Sequence, residues 1–221
     1  HSIFHAINRG TDRRKIFLAA EDYLRFVHNM RDFNNREVAF LSYRNRQRYS
    51  EVSAPKEKDK IVDVLCWALI QNHFHIMLQE REKRGASMFV QKLTGGYTMY
   101  FNPRHQRSGT LFQGRSKIIS VERDAHFLHL PFYILANPLD IFQPKWREKG
   151  LKNTKQALEF LEDYRWSAFN ELVHGNREPQ VVNRKLFFDL FDTNETRLRD
   201  DFTEWLDAYE PYPTLPKYLL P

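Results

Sequence analysis

An α+β fold is predicted by three features of the sequence. Short runs rich in β-branched and aromatic residues favour strands. They alternate with longer segments whose apolar residues recur three or four apart, as in amphipathic helices. The composition, 42% hydrophobic and 28% charged, is that of a globular protein, and 18 phenylalanines can supply a core. The 221 residues correspond to one domain, or to one domain with an appendage.

The individual elements follow from these patterns in chain order. Strands are predicted at residues 3–7, 38–43, 61–78 around a central histidine motif, and 118–121. Helices are predicted at residues 20–34, 87–101, 124–137, 155–161, 184–191 and 198–209. Asp124 is the expected N-cap of its helix, and Pro131 predicts a kink or a restart there. Residues 44–60 and 146–150 are predicted loops, and Gly95-Gly96 indicates a kink or a close approach within its helix.

Two histidines, His73 and His75, are the first candidate functional residues. The sequence Asn72-His73-Phe74-His75 follows an apolar run, so the motif is expected on a strand. Side chains alternate faces along a strand, which places His73 and His75 on one face and Phe74 on the other. Two imidazoles held two residues apart form half of a divalent-metal site, although a pair of hydrogen-bonded structural histidines has the same pattern.

Further along the chain, Tyr133 and Asn137 lie four residues apart on a predicted helix, and therefore on one helical face. A tyrosine hydroxyl can act as a covalent nucleophile, and an asparagine oxygen can bind a hard metal ion. A tyrosine on an apolar helix can equally be a core residue. Tyr97 and Tyr100 are alternative nucleophiles, but their spacing with Phe89 indicates a packing role.

Basic residues are concentrated in two short segments. Arg9, Arg13, Arg14 and Lys15 follow the first strand and form either a phosphate clamp or a solvated loop. The second segment, residues 102–117, combines glycines and Phe112 with four cations, a composition that suits single-stranded nucleic acid. A basic surface loop is the alternative for this segment too. Its cations are Arg104, Arg107, Arg115 and Lys117.

The charge balance and the single cysteine narrow the class of protein. A formal net charge of +6 favours an anionic partner, either nucleic acid or an acidic membrane surface. Cys66, the one cysteine, excludes an internal disulfide and a cysteine-rich zinc module. No apolar run reaches the roughly 18 residues of a membrane span, and no signal peptide is recognisable, so a cytoplasmic protein is expected.

Several motifs, taken together in this order and at these spacings, resemble those of a known family. They are Ile7-Asn8-Arg9-Gly10, Gln71-Asn72-His73-Phe74-His75, the run from Arg107 to Arg115, Tyr133-Ile134-Leu135-Ala136-Asn137-Pro138, and Trp166-Ser167. The chain resembles the single-tyrosine HUH transposases of the IS200-like family, and most closely the REP-associated tyrosine transposases of bacteria. Two departures are Gln71, where proline is usual, and Pro131 close to Tyr133.

The resemblance implies a fold, a cofactor and a reaction. The fold is a ferredoxin-like antiparallel sheet with helices on one face, here with a C-terminal helical extension. His73, His75 and Asn137 are implied to bind Mg²⁺ or Mn²⁺, and Tyr133 to attack DNA. The implied product is a 5′-phosphotyrosine with a free 3′-hydroxyl, and the arginines and Lys117 of the basic segments would hold DNA phosphates. We expect a catalytic domain at residues 1–175 and an extension at residues 176–221.

The expected partner is single-stranded DNA containing a hairpin, bound by a monomer or a homodimer in the bacterial cytoplasm, with no membrane. Two other functions fit the same fold. One is a domesticated transposase that binds DNA hairpins without cleaving them. The other is a metal-dependent phosphodiesterase that hydrolyses with water and forms no covalent link. An intact set of His73, His75, Tyr133 and Asn137 argues against the binding-only function.

Overall fold

The structure is a computed structural model that describes residues 2–36, 56–122, 125–175 and 179–210. The strands are β1 (Ile3–Arg9), β2 (Val62–Ile70), β3 (His73–Glu80) and β4 (Lys117–Val121). The helices before the last strand are α1 (Ala20–Asp32) and α2 (Gly85–Arg104). The helices after it are α3 (Ala125–Leu135), α4 (Leu139–Phe142), α5 (Trp146–Lys149), α6 (Thr154–Asp163), α7 (Phe169–His174), α8 (Arg184–Phe191) and α9 (Glu195–Asp207).

The four strands form one antiparallel sheet in the order β2-β3-β1-β4. With α1 after β1 and α2 after β3, the first part of the chain has the βαββαβ connectivity of ferredoxin-like folds. The predicted ferredoxin-like α+β class is therefore confirmed, although helices cover both faces of the sheet rather than one. The predicted strand at residues 38–43 and the expected N-cap Asp124 lie outside the described residues.

The two faces of the sheet are covered by different helices. Phe74 points to α1 and α2, where its ring lies 5.1 Å from that of Phe26, and Phe26 in turn packs against Tyr97. His75 points to the opposite face, where it meets Tyr133 of α3. The alternation of side chains along β3 thus separates a phenylalanine-rich core from a polar site.

The outer edge of β2 is covered by segments from late in the chain. The amide of Leu69 donates to the carbonyl of Trp166, and the amide of Ala168 donates to the carbonyl of Trp67. Val64 forms a parallel bridge with Val182. These bonds satisfy backbone groups that an exposed edge strand would leave open to another chain. Within the described residues, no helix is long and apolar enough to cross a membrane.

Three local predictions differ from the structure. The run at residues 61–78, predicted as one strand, forms the two antiparallel strands β2 and β3, joined by a turn at Gln71 and Asn72. Helix α3 continues through Pro131 as one element, so the predicted restart does not occur. Residues 146–150, predicted as a loop, contain the one-turn helix α5. Four residues are too few to show a helical period, so the sequence pattern did not reveal this helix.

Candidate active site

The turn between β2 and β3 fixes the first histidine. Gln71 and Asn72 link the two strands, and the Asn72 carbonyl accepts a hydrogen bond from the amide of Gly10. His73 Nδ1 lies 2.7 Å from Asn72 Oδ1. An amide oxygen only accepts, so Nδ1 carries the proton and Nε2 keeps its lone pair.

The second histidine is fixed by a third that the sequence analysis did not select. His5 Nε2 on β1 lies 2.9 Å from His75 Nδ1, and the two rings stack. His75 is fully buried, and its Nε2 has no hydrogen-bond partner among the described residues. The rings of His73 and His75 lie edge to face, 5.1 Å apart, on the same face of the sheet, as strand alternation predicts.

Helix α3 brings the remaining candidates to this face. The Tyr133 ring packs edge to face on His75 at 5.8 Å, and Tyr133 is 8% exposed. Asn137, just beyond the end of α3, donates from Nδ2 to the Tyr133 carbonyl at 2.9 Å, and its side chain lies close enough to His73 to influence the pKa of that imidazole. The structure therefore brings together the four predicted residues His73, His75, Tyr133 and Asn137.

Burial and neighbouring cations set the protonation of these groups. Burial, together with the charges of Arg147 and Arg9, lowers the pKa of His73 to about 4, against the opposing effect of Asn137. Burial also lowers the pKa of His75 well below its usual range. Both imidazoles are thus neutral at pH 7, the form that binds a metal ion. Burial raises the pKa of Tyr133 to about 12, against the lowering effect of Arg147.

These donors fit a divalent ion. A neutral, buried imidazole nitrogen without a hydrogen-bond partner is a suitable ligand, and an amide oxygen suits Mg²⁺ or Mn²⁺. No group of three or more histidine, cysteine or acidic side chains that could hold a metal occurs in the part of the chain that the structure describes. The amide oxygen of Asn137 is the candidate for a third protein ligand.

The basic residues fall into three groups. Arg9 is paired across β1 and β3 with His73, and Arg13 and Lys15 line a cavity of about 400 Å³ that opens beside His73. Arg14 and Arg107 lie close enough for their charges to interact. All five therefore stand at the end of the sheet that carries the histidine motif.

The second group is Arg115 and Lys117, of which Arg115 lines a larger groove of about 770 Å³ between α2 and β4. Lys117 begins β4 beside it. Arg104 alone forms a third group, because it lies 3.8 Å from Glu21 and 3.7 Å from Asp22 in ion pairs on α1. Its charge is thus partly neutralised within the protein.

The alternative tyrosines lie on the other face of the sheet. The Tyr97 hydroxyl donates to the carbonyl of Ile16 within the core, and burial raises its pKa. The Tyr100 hydroxyl lies 3.3 Å from Asp22 Oδ1. Both are packed against α1, away from the histidines.

The sequence analysis missed His5, Arg147 and Asp140. His5 shares a face with Ile7, which pairs with His75, but that relation depends on a register that one sequence does not reveal. Arg147 lies in a segment without helical or strand periodicity, and no pattern marks it.

Comparison with known proteins adds two findings. The family model described as "Transposase IS200 like" matches residues 21–137, which is more than half of the chain. A solved structure of a REP-associated tyrosine transposase bound to a REP hairpin is similar over 82% of this chain and 87% of that one. Its sequence identity is 15% and its TM-score 0.47. No curated protein sequence matches this chain.

Proposed function

The chain belongs to the IS200-like transposase family, and from that premise we propose that it cleaves and rejoins single-stranded DNA through Tyr133. The observation that carries the proposal is the contact between Tyr133 and His75 in a buried site that also contains His73 and Asn137. Tyrosine, histidines and amide lie together there although His75 and Tyr133 are 58 positions apart in the sequence.

In the proposed reaction the Tyr133 oxygen attacks the phosphorus of one phosphodiester. The new Tyr–O–P bond forms as the P–O3′ bond breaks, which gives a 5′-phosphotyrosine and a 3′-hydroxyl. The phenol proton leaves during the attack and the 3′ oxygen gains one, so atoms and charge balance. A pKa of about 12 means that the phenolate is scarce at pH 7, and the site must favour it in the transition state. The reverse reaction with another 3′-hydroxyl rejoins DNA without ATP.

His73, His75 and Asn137 would hold a divalent ion. When bound, Mg²⁺ or Mn²⁺ supplies Lewis-acid polarisation of the scissile phosphate. The protein contributes two neutral imidazoles whose orientation is set by Asn72 and His5. It also excludes bulk water, since His75 is fully buried and Tyr133 nearly so.

The substrate path is proposed from the distribution of cations. The cavity beside His73, lined by Arg13 and Lys15, leads DNA to the site, with Arg9, Arg14 and Arg107 at the same end of the sheet. The groove with Arg115, and Lys117 next to it, would hold a further part of the DNA. Arg104 contributes less because acidic side chains face it. That the substrate contains a hairpin rests on the sequence resemblance.

Incubation with short hairpin oligonucleotides and Mn²⁺ tests the proposal. The wild type should give a protein–DNA adduct that survives denaturation. The variant Tyr133→Phe removes one oxygen and keeps the ring, so it should bind the same DNA and form no adduct. Added Mn²⁺ should not rescue it, since a metal cannot replace the hydroxyl.

The matched controls are Tyr97→Phe and Tyr100→Phe, which should retain the adduct. An adduct formed by Tyr133→Phe but lost in either control would move the nucleophile to α2. Cleavage without any adduct would indicate hydrolysis by water, and hairpin binding without cleavage would indicate a binding protein. Oligonucleotides of the same length without a hairpin test the hairpin separately.

A further inference from the structure

Arg147, on the one-turn helix α5, is a buried cation, and some of its N–H donors have no hydrogen-bond partner among the described residues. The residue is 5% exposed. Its Nη1 donates to Asp140 Oδ1 at 2.6 Å. Its Nε and Nη2 are buried and have no hydrogen-bond partner among the described residues.

Such an arrangement is costly for folding. A buried donor without a partner costs about 1–3 kcal/mol, and more when it is charged. Buried polar groups in native proteins are almost always satisfied by protein groups, ordered water or a ligand, so each one without a partner needs an explanation. Two such donors on one guanidinium, next to a candidate active site, point to an anionic ligand.

Arg147 lies beside the proposed nucleophile and the two histidines. The guanidinium carbon lies 4.9 Å from the centre of the Tyr133 ring. Its charge is felt by both His73 and His75. An anion bound at the unpaired donors would therefore lie next to the Tyr133 side chain.

The orientation of the guanidinium is fixed on two sides. Asp140 occupies Nη1, and the Trp146 ring packs at 4.6 Å from the guanidinium carbon. Nε and Nη2 form the side edge of the planar fork, whose two parallel N–H bonds match two oxygens of one phosphate. Asp140 thus holds the far side of the group, while the two donors of the bidentate edge have no hydrogen-bond partner among the described residues.

We propose that Arg147 is a catalytic residue that binds two non-bridging oxygens of the scissile phosphate through Nε and Nη2. This inference rests on the proposed function, since it assumes that Tyr133 attacks that phosphate. Negative charge grows on these oxygens in the transition state, and a pre-oriented cation in a buried site stabilises it strongly.

The test compares Arg147→Met, which keeps the length without the charge, with Arg147→Lys, which keeps a charge without the fork. In single-turnover reactions, Arg147→Met should slow adduct formation by about 10²–10³-fold, as for loss of one transition-state donor. Arg147→Lys should slow it at least about tenfold. Free guanidinium should partly restore Arg147→Ala and have no effect on Tyr133→Phe. The control Arg184→Met, at an arginine paired with Glu195, should keep the wild-type rate.

Thermal unfolding of each variant checks that it folds. If Arg147→Met does not fold, the comparison of Arg147→Lys with the wild type is the test. A folded variant that forms the adduct within about threefold of the wild-type rate overturns the inference, as does the failure of guanidinium to restore Arg147→Ala. Either result leaves the proposed function intact. If instead the wild type forms no adduct, or Tyr133→Phe still does, the proposed function fails.

A separate binding measurement tests whether Arg147 contacts a DNA phosphate. Hairpin oligonucleotides carry a neutral methylphosphonate at each single-stranded position in turn. We expect one position at which loss of the phosphate charge weakens wild-type binding but not that of Arg147→Met. If no position shows this difference, Arg147 does not contact a DNA phosphate.

Discussion

At the scale of single residues, the orientation of His75 depends on His5. Only one nitrogen of a neutral imidazole carries a proton. If His75 Nδ1 donates to His5 Nε2, the lone pair of His75 lies on the buried Nε2 that faces the proposed ion. Such outer contacts fix the tautomer of a metal-binding histidine and are typically worth 10–100-fold in metal affinity.

We therefore expect His5→Phe, which keeps an aromatic ring but removes the acceptor, to weaken Mn²⁺ binding by about 10–100-fold. Titration calorimetry with Mn²⁺ in the absence of DNA measures this directly. The control His105→Phe changes a histidine that faces Asp22, and it should bind Mn²⁺ like the wild type. Equal Mn²⁺ affinities for His5→Phe and the wild type would show that His5 does not orient a ligand.

The residue scale also shows what one sequence can predict of a site. Alternation along β3 placed His73 and His75 together, and helical spacing placed Asn137 one turn from Tyr133. His5 and Arg147 were missed because their roles arise from strand register and from a packed one-turn helix. Both are features of the tertiary structure and produce no periodic pattern in the local sequence.

At the scale of elements, the glycine pair of α2 has two different environments. A Cβ on Gly96 would lie 2.3 Å from the Phe33 ring, so α2 approaches the end of α1 closely there. A Cβ on Gly95 would meet nothing within 4 Å, and this residue lines the groove beside β4. The predicted close approach thus applies to one glycine of the two.

We expect Gly96→Ala to lower the free energy of unfolding by about 1–3 kcal/mol, because the core must shift to admit a methyl group. Gly95→Ala should raise it by about 0.5–1 kcal/mol, since alanine favours the helix. Urea denaturation of the two neighbouring variants measures both. Similar effects of the two substitutions would contradict the contact with Phe33.

Most elements follow from the sequence because their apolar periods are long. Residues 184–191 were predicted as a helix and form α8 with the same bounds, and the prediction at 87–101 falls within α2. The short helices α4, α5 and α7 were not predicted. Each has six residues or fewer, so packing rather than amphipathic period decides their conformation.

At the scale of the whole molecule, Arg13 and Lys15 line the cavity beside His73, and Arg115 lines the groove. Binding of a single strand that replaces counterions should weaken with salt, with a logarithmic slope of about −0.7 per phosphate contacted. We expect Arg13→Gln to weaken hairpin binding and reduce this slope by about 0.7, as measured by fluorescence anisotropy at several salt concentrations. Arg104→Gln should change the slope less, because Arg104 already faces Glu21 and Asp22. A salt-independent affinity would count against the proposed path.

The C-terminal helices share one hydrophobic core with the sheet. Phe202 of α9 is fully buried and packs against Phe132 of α3 at 5.6 Å and Phe169 of α7 at 5.4 Å. We expect Phe202→Ala to cost about 3–5 kcal/mol of stability in a single cooperative transition. The control Leu18→Ala, at a residue 54% exposed, should cost much less. A separate early transition in the Phe202→Ala melt would indicate that α9 unfolds independently.

The coverage of the β2 edge has a consequence for folding kinetics. Strand β1 is made first but lies inside the sheet, where Ile3 pairs with both Gln79 and Val121. Among the described residues, the edge of β2 is covered by those near Trp166 and Val182. The sheet can therefore be completed only after most of the chain has been synthesised. Contacts between segments this far apart in sequence form slowly, because long loops must close. A nascent chain interrupted before residue 166 exposes a strand edge that invites aggregation, so this protein should depend on chaperones more than its size alone suggests.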